Sequence, residues 1–265
     1  MKNYICSGCI PDPKDKVYIP FDKSQLCGIT QNSDNIDLRE YSFDRHDQGS
    51  TNTCVANATT KALEIKRAEK FGVENHIPLS RLDLYYGARD LMNPKRTNVD
   101  DGTNISLAMD VLRRFGVCRE KIWPFDPNKI STPTSILGTR EAALNKISGH
   151  FKIDSSGNKR IDDIILNLKA KNPVVFGMKV GEEFRNYTAS SEPISKSTNI
   201  IGGHAMVLVG YLNGLFIGEN SWGTWGQNGF YFITPELIGS DIAYDFWVMA
   251  TNFDIYWENM NKDTV

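Results

Sequence analysis

Five cysteines, at positions 6, 9, 27, 54 and 118, and four histidines, at 46, 76, 150 and 204, are the first side chains to weigh as nucleophiles and proton carriers. An odd number of cysteines spread unevenly along 265 residues is not a disulfide framework. It suits a reducing compartment, where a cysteine is either buried filler or a reactive thiol. Cys54 alone stands where a helix is expected to begin, after the polar loop DQGSTNT and before VANATTKALEIKRAEKFG. Unpaired first-turn N–H groups and the helix dipole favour negative charge there, which lowers a thiol pKa. His46, His76 and His150 lie in polar, loop-like surroundings and read as solvated. His204 heads an apolar strand directly after Gly202-Gly203, a pair that admits another backbone closely.

Asn220 follows His204 by sixteen residues, at the end of the next strand. Strand geometry tests whether the two can meet. A two-residue turn at Asn213-Gly214 sets Asn220 opposite Val207, on the wrong face for His204. A three-residue loop with Gly214 left-handed sets it opposite Met206 instead. The pair then shares a face as diagonal neighbours, about 7–8 Å apart at Cα. The chemistry therefore predicts the three-residue loop, and a two-residue turn would need a compensating bulge.

The elements that must carry these residues change character along the chain. Residues 1–36 hold Pro11, Pro13 and Pro20, show no periodicity and read as an extended arm. Residues 37–132 read as helical. In the first helix Val55, Ala58, Ala62 and Ile65 share a face, Lys61, Glu64, Lys66 and Arg67 point elsewhere, and Gly72 is the stop. A second helix starts after Ser80 and a third covers about 104–115. Residues 133–255 add an amphipathic segment at 160–171, then short apolar runs bounded by Gly, Asn or Pro that read as strands (PVVFGMKV, HAMVLVGY, LFIGEN, GFYFIT, DFWVMATNF). Residues 256–265 are left as a tail. A helical half followed by a strand-rich half predicts an α+β fold with two lobes. The charge balance, 30 basic against 32 acidic residues, removes the electrostatic case for nucleic-acid or membrane-surface binding. No run is apolar enough to span a bilayer, and no secretory signal is seen.

The motifs resemble those of the papain-like cysteine peptidases, over about residues 37–250. Gln48-Gly49 before Cys54, Gly203-His204-Ala205 before VLVGY, Asn220-Ser221-Trp222-Gly223-Thr224, and Asp101-Gly102 before a helix occur in the family's order and spacing. Departures are Thr51, where many secreted members carry a disulfide cysteine, Asn52 in place of a glycine, Val55 in place of a tryptophan, and one residue fewer between Thr224 and Trp225. The resemblance implies a two-lobed fold, a helical lobe and a β-barrel-like lobe with the site in the cleft between them. It implies peptide-bond hydrolysis without a cofactor or metal, with a peptide or protein as partner. Cys54 would be the nucleophile, His204 the acid and base, Asn220 its orienting partner, Gln48 an oxyanion donor and Trp222 a shield. Gly102, Thr103, Ile105, Gly203 and Ala205 would meet the substrate, with Asp245 as a floor residue. Their small and apolar types point to a hydrophobic substrate side chain.

Two matters stay open on the residues alone. The arm reads either as a cleft-covering segment, an intramolecular ligand resembling a short propeptide, or as a solvated tail. Cys6-Ser7-Gly8-Cys9, with Cys27 and His46 as conceivable further ligands, fits no standard zinc spacing and reads either as incidental thiols or as a disulfide or redox pair. Alternatives for the whole chain are a silent binding protein on the same fold and an amidase or transglutaminase-type acyl transferase. The expected location is cytoplasmic or another reducing compartment.

Overall fold

The computed structural model describes residues 4–26 and 35–251, so Cys27 and the tail 256–265 lie outside the described residues. Helix α1 spans Cys54–Phe71 and ends at Gly72, α2 spans Arg81–Met92 behind a Ser80 cap, and α3 spans Ile105–Arg114 behind an Asn104 cap. Both caps satisfy an orphan first-turn N–H: the Ser80 side chain accepts from Asp83 N–H and the Asn104 side chain from Leu107 N–H. A shorter α4, Ile136–Ala142, precedes α5 at Gly157–Lys169.

Helix α1 packs on α2, on α3 and on the sheet, so burial does not stop at one stripe. Val55, Ala58, Ala62 and Ile65 are buried as expected, but so are Lys61, Glu64 and Lys66, which the pattern placed away from the core. These charges are tolerated because each is met. Lys61 Nζ donates to the carbonyls of Phe43 and Asp44 and lies 3.1 Å from Glu64. Glu64 also accepts from Leu79 N–H at 2.8 Å, and Lys66 donates to Asn172. His46, expected to be solvated, is buried 3.3 Å from Glu64. Burial foremost, with Lys61 adding to it, pushes its pKa down to about 4, so the ring is neutral. His76 and His150 are partly buried, and His150 contacts Asp110 at 3.1 Å.

The strands are β1 (Ile36–Asp37), β2 (Gly149–Ile153), β3 (Val174–Val180), β4 (Gly202–Leu212), β5 (Leu215–Glu219), β6 (Phe230–Ile233) and β7 (Ala243–Ala250). They form one antiparallel sheet ordered β2-β7-β3-β4-β5-β6, with β1 also on β4. The apolar runs expected as strands are β3 to β7; β2 and β1 carried no such pattern.

The β4–β5 hairpin corrects the predicted turn. Leu212 pairs with Leu215 across a two-residue turn in which Asn213 and Gly214 take φ of 51° and 83°. Both positive values suit Asn-Gly and match the strands' twist. The register then shifts between Leu208 and Gly210, so Val207 pairs with Glu219. The extra residue that the loop was expected to supply is a bulge at Val209, and it restores the phase that sets Asn220 beside Met206.

Candidate active site

Cys54 opens α1 and is wholly buried. Thr53, the residue before it, makes no side-chain cap; its hydroxyl is engaged by Thr51 at 2.8 Å and Asn57 at 3.0 Å. The first-turn amides are thus left for other acceptors. Burial is the largest influence on the Cys54 thiol and pushes its pKa up to about 12. Ala205 N–H, from β4, and the Val55 and Cys54 N–H groups are aimed at the sulfur and oppose that rise. The helix start alone predicted a lowered thiol pKa. Here desolvation outweighs it, and the resting state is a protonated thiol.

His204 is equally buried, and its pKa is pushed down to about 4, chiefly by burial; only its bond to Asn220 raises it. His204 Nε2 lies 2.8 Å from Asn220 Oδ1, and the same oxygen accepts Ser221 N–H at 2.8 Å. A backbone N–H only donates, so this atom is the amide oxygen. The proton of a neutral His204 therefore sits on Nε2, leaving an unpartnered, buried lone pair on Nδ1. Trp222 lies over the imidazole with ring centroids 4.9 Å apart, and Phe184 closes another side at 5.9 Å. The pair is sealed from water, which strengthens its hydrogen bond.

Gln48 is held at both ends of its amide. Its Oε1 accepts from Ser221 Oγ at 2.6 Å, and its Nε2 donates to Thr51 O at 2.7 Å. One of the two Nε2 hydrogens remains available. Backbone bonds join this loop to the Asn220 block, with Gln48 N–H to Ser221 O at 2.9 Å and Gly223 N–H to His46 O at 2.8 Å.

The arm runs directly over these groups. Thr103 N–H donates to Gly8 O at 3.1 Å, Ile10 N–H to Thr103 O at 2.9 Å, and Cys9 N–H to Gly203 O at 3.2 Å. Residues 8–10 are thus clamped as an extended strand between the start of α3 and the start of β4. The approach is close enough that a Cβ on Gly102, whose φ is +83°, would lie 2.4 Å from Gly8 O, and one on Gly202 1.8 Å from Cys6 O. A Cβ on Gly8 itself would lie 2.4 Å from Asn52 O, so the arm also needs its glycine. Ser7 Oγ donates to Asn52 Oδ1 at 2.9 Å, and Tyr4 stacks on Trp222 at 4.9 Å. Cys6 and Cys9 are free buried thiols whose pKa values are raised, foremost by burial. No group of side chains among the described residues could hold a metal ion.

A model of the papain family of cysteine proteases matches residues 32–243. The chain belongs to that family. An uncharacterised peptidase C1-like protein of Acanthamoeba polyphaga mimivirus is 30% identical over 96% of this chain and 89% of its own. Xylellain, a cysteine protease from Xylella fastidiosa, superposes with a TM-score of 0.77 at 28% identity, covering 95% of this chain and 98% of that one. Procathepsin L2 from Tenebrio molitor larval midgut shares the fold at a TM-score of 0.72 and 20% identity, over 93% of this chain and 78% of its own. This is a papain-family cysteine protease domain with the α+β, two-lobed architecture of its relatives, and the family acts on peptide substrates.

Of the residues singled out by motif, Cys54, His204, Asn220, Gln48 and Trp222 come together in one buried cluster. Gly102 and Thr103 line the trough with Gly203, while Ala205 N–H faces the Cys54 sulfur. Ile105 is buried in the hydrophobic core at the first position of α3. Asn52 ties its loop to the Gly102 segment by donating to Asp100 O at 2.6 Å. Three participants gave no local signal: Tyr4, Asp12 and Lys152. Pairing with residues over 90 positions away brings the last two to Asp245.

Proposed function

We propose that this papain-family chain hydrolyses peptide bonds through Cys54 and His204, and that its arm is an intramolecular ligand of its own cleft. With the arm displaced, water returns and the burial penalty on both groups falls. A proton then passes from the Cys54 thiol to His204 Nδ1, giving a thiolate–imidazolium pair. The thiolate attacks the peptide carbonyl, and the developing oxyanion takes hydrogen bonds from Cys54 N–H and the free Gln48 Nε2 hydrogen. His204 protonates the departing amine, and afterwards serves as base toward the water that splits the thioester. Asn220 keeps the ring oriented throughout, the role a carboxylate has in a serine triad.

The observation that carries this reading is the shared Asn220 oxygen, which fixes the Nε2–H tautomer and leaves Nδ1 basic. The arm's role is supported by its backbone bonds to Thr103, whose segment is tied to the loop before Cys54 through Asn52 and Asp100, and to Gly203, the residue before His204. Turnover of fluorogenic peptides by wild type, Cys54→Ala and His204→Ala tests the proposal. Hydrolysis lost in both variants is expected; hydrolysis that survives Cys54→Ala would overturn it.

A further inference from the structure

Three residues beyond Cys9, the arm buries a carboxylate. The Asp12 side chain has no exposed surface. Its Oδ1 accepts Ser106 N–H, from the first turn of α3, at 3.1 Å. Its Oδ2 accepts Trp247 Nε1–H at 2.9 Å and Lys152 Nζ at 3.0 Å. Asp245 completes the group, accepting Asp12 N–H at 2.6 Å and Lys152 at 2.7 Å. All three donors to the Asp12 carboxylate belong to the body of the protein, from α3, β2 and β7. Only the acceptor comes from the arm. Ser106 and Trp247 are almost completely buried, and the Lys152 side chain is only 14% exposed.

Such a nest is expensive to leave unfilled, because buried donors lose their water without gaining a partner. An extended chain covers about 10 Å in three residues, so the nest belongs to the trough that holds Cys9. We infer that Ser106, Trp247 and Lys152 form a specificity subsite for an acidic side chain of the peptide substrate, with Asp12 as the chain's own occupant. This rests on the peptidase reading and on the arm leaving the cleft. The choice of acid follows from the donors. A carboxylate offers two acceptor oxygens to three hydrogen-bond donors, whereas an amide would turn its own NH₂ against one of them. A basic side chain would meet the Lys152 ammonium, and Asp245 is already engaged by Lys152. Asp245 is left to accept a backbone N–H of the substrate, as it accepts that of Asp12.

The test uses the full chain with a protease site engineered at the exposed Lys14-Asp15 step, cut after folding so that the segment carrying Asp12 can leave. Paired peptides differ only as Glu against Gln, or Asp against Asn, at each of four positions before the scissile bond. At one position kcat/KM for the acid should exceed that for the amide at least tenfold, and Trp247→Phe should bring that ratio close to one. In the uncut chain, Asp12→Asn should speed epoxide labelling of Cys54. A ratio near one at every position, a ratio untouched by Trp247→Phe, or unchanged labelling in Asp12→Asn would overturn the subsite. Failure of the peptidase reading looks different: no epoxide adduct on Cys54 and no cleavage of any peptide.

Discussion

Replacing Asn220 with alanine removes the one atom that holds both His204 Nε2–H and Ser221 N–H. The imidazole then loses its tautomer lock under the cover of Trp222, where water does not readily replace the lost acceptor. A buried donor left without a partner costs about 1–3 kcal/mol, more toward the upper end when the donor is the imidazolium of the reacting state. At about 1.4 kcal/mol per factor of ten, kcat/KM should fall about 10- to 100-fold. The pH profile supplies an independent sign. The bond to Asn220 raises the His204 pKa, so its loss lowers that pKa and shifts the alkaline limb of kcat/KM to lower pH. Asn220→Asp keeps an acceptor and adds a negative charge, so the same limb should move to higher pH. Steady-state kinetics from pH 5 to 9, on chain whose arm has been cut and displaced, would read both effects. An Asn220→Ala enzyme within twofold of wild type and with an unshifted profile would refute the orienting argument.

Gln48→Ala should lower kcat by about 10²–10³ with little change in KM, since its amide is proposed to meet the oxyanion and not the ground state; an equal rise in KM would contradict that role. Gly8→Val places side-chain atoms where Asn52 O lies 2.4 Å from an ideal Cβ, so the arm should fail to seat and epoxide labelling of Cys54 should accelerate. Unchanged labelling would mean that the arm does not limit access. Stability should fall as the solution is acidified. His46 and His204, each held down to about 4 by burial, stay neutral in the folded chain while their unfolded counterparts protonate near 6.5. Their stabilisation is complete above pH 6.5 and is lost as pH falls toward 4, amounting to about 2 kcal/mol per histidine between pH 7 and 5. Urea unfolding at those two pH values checks it, and a flat response would contradict the burial of both rings.

The parts of this molecule that sequence disclosed are those whose logic is local or motif-bound. Helix α1 announces itself by its apolar spacing, α2 and α3 by their Ser80 and Asn104 caps, and β3 to β7 by short apolar runs between turn residues. The burial of Lys61, Glu64 and Lys66 was not legible, because α1 is covered on more than one face by elements distant in sequence. The hairpin shows how two local rules can both hold. Asn213-Gly214 makes the two-residue turn its residue types favour, and a bulge at Val209, which nothing in VLVGY marks, repairs the phase that the His204–Asn220 contact requires. The thiol pKa was misjudged for a related reason. A helix start favours thiolate, but Cys54 is wholly buried by segments distant in sequence, and that desolvation dominates. Asp12 is invisible for the same cause: its donors Ser106, Lys152 and Trp247 meet only in three dimensions.

The most direct measurement is the intact mass of the protein after exposure to an epoxide inhibitor of cysteine peptidases, with wild type, Cys54→Ala and Gly8→Val compared side by side. The account predicts a single adduct on wild type that maps to Cys54, none on Cys54→Ala, and faster addition on Gly8→Val. Absence of an adduct on both wild type and Gly8→Val, or an adduct that persists in Cys54→Ala, would contradict a working nucleophile at the start of α1.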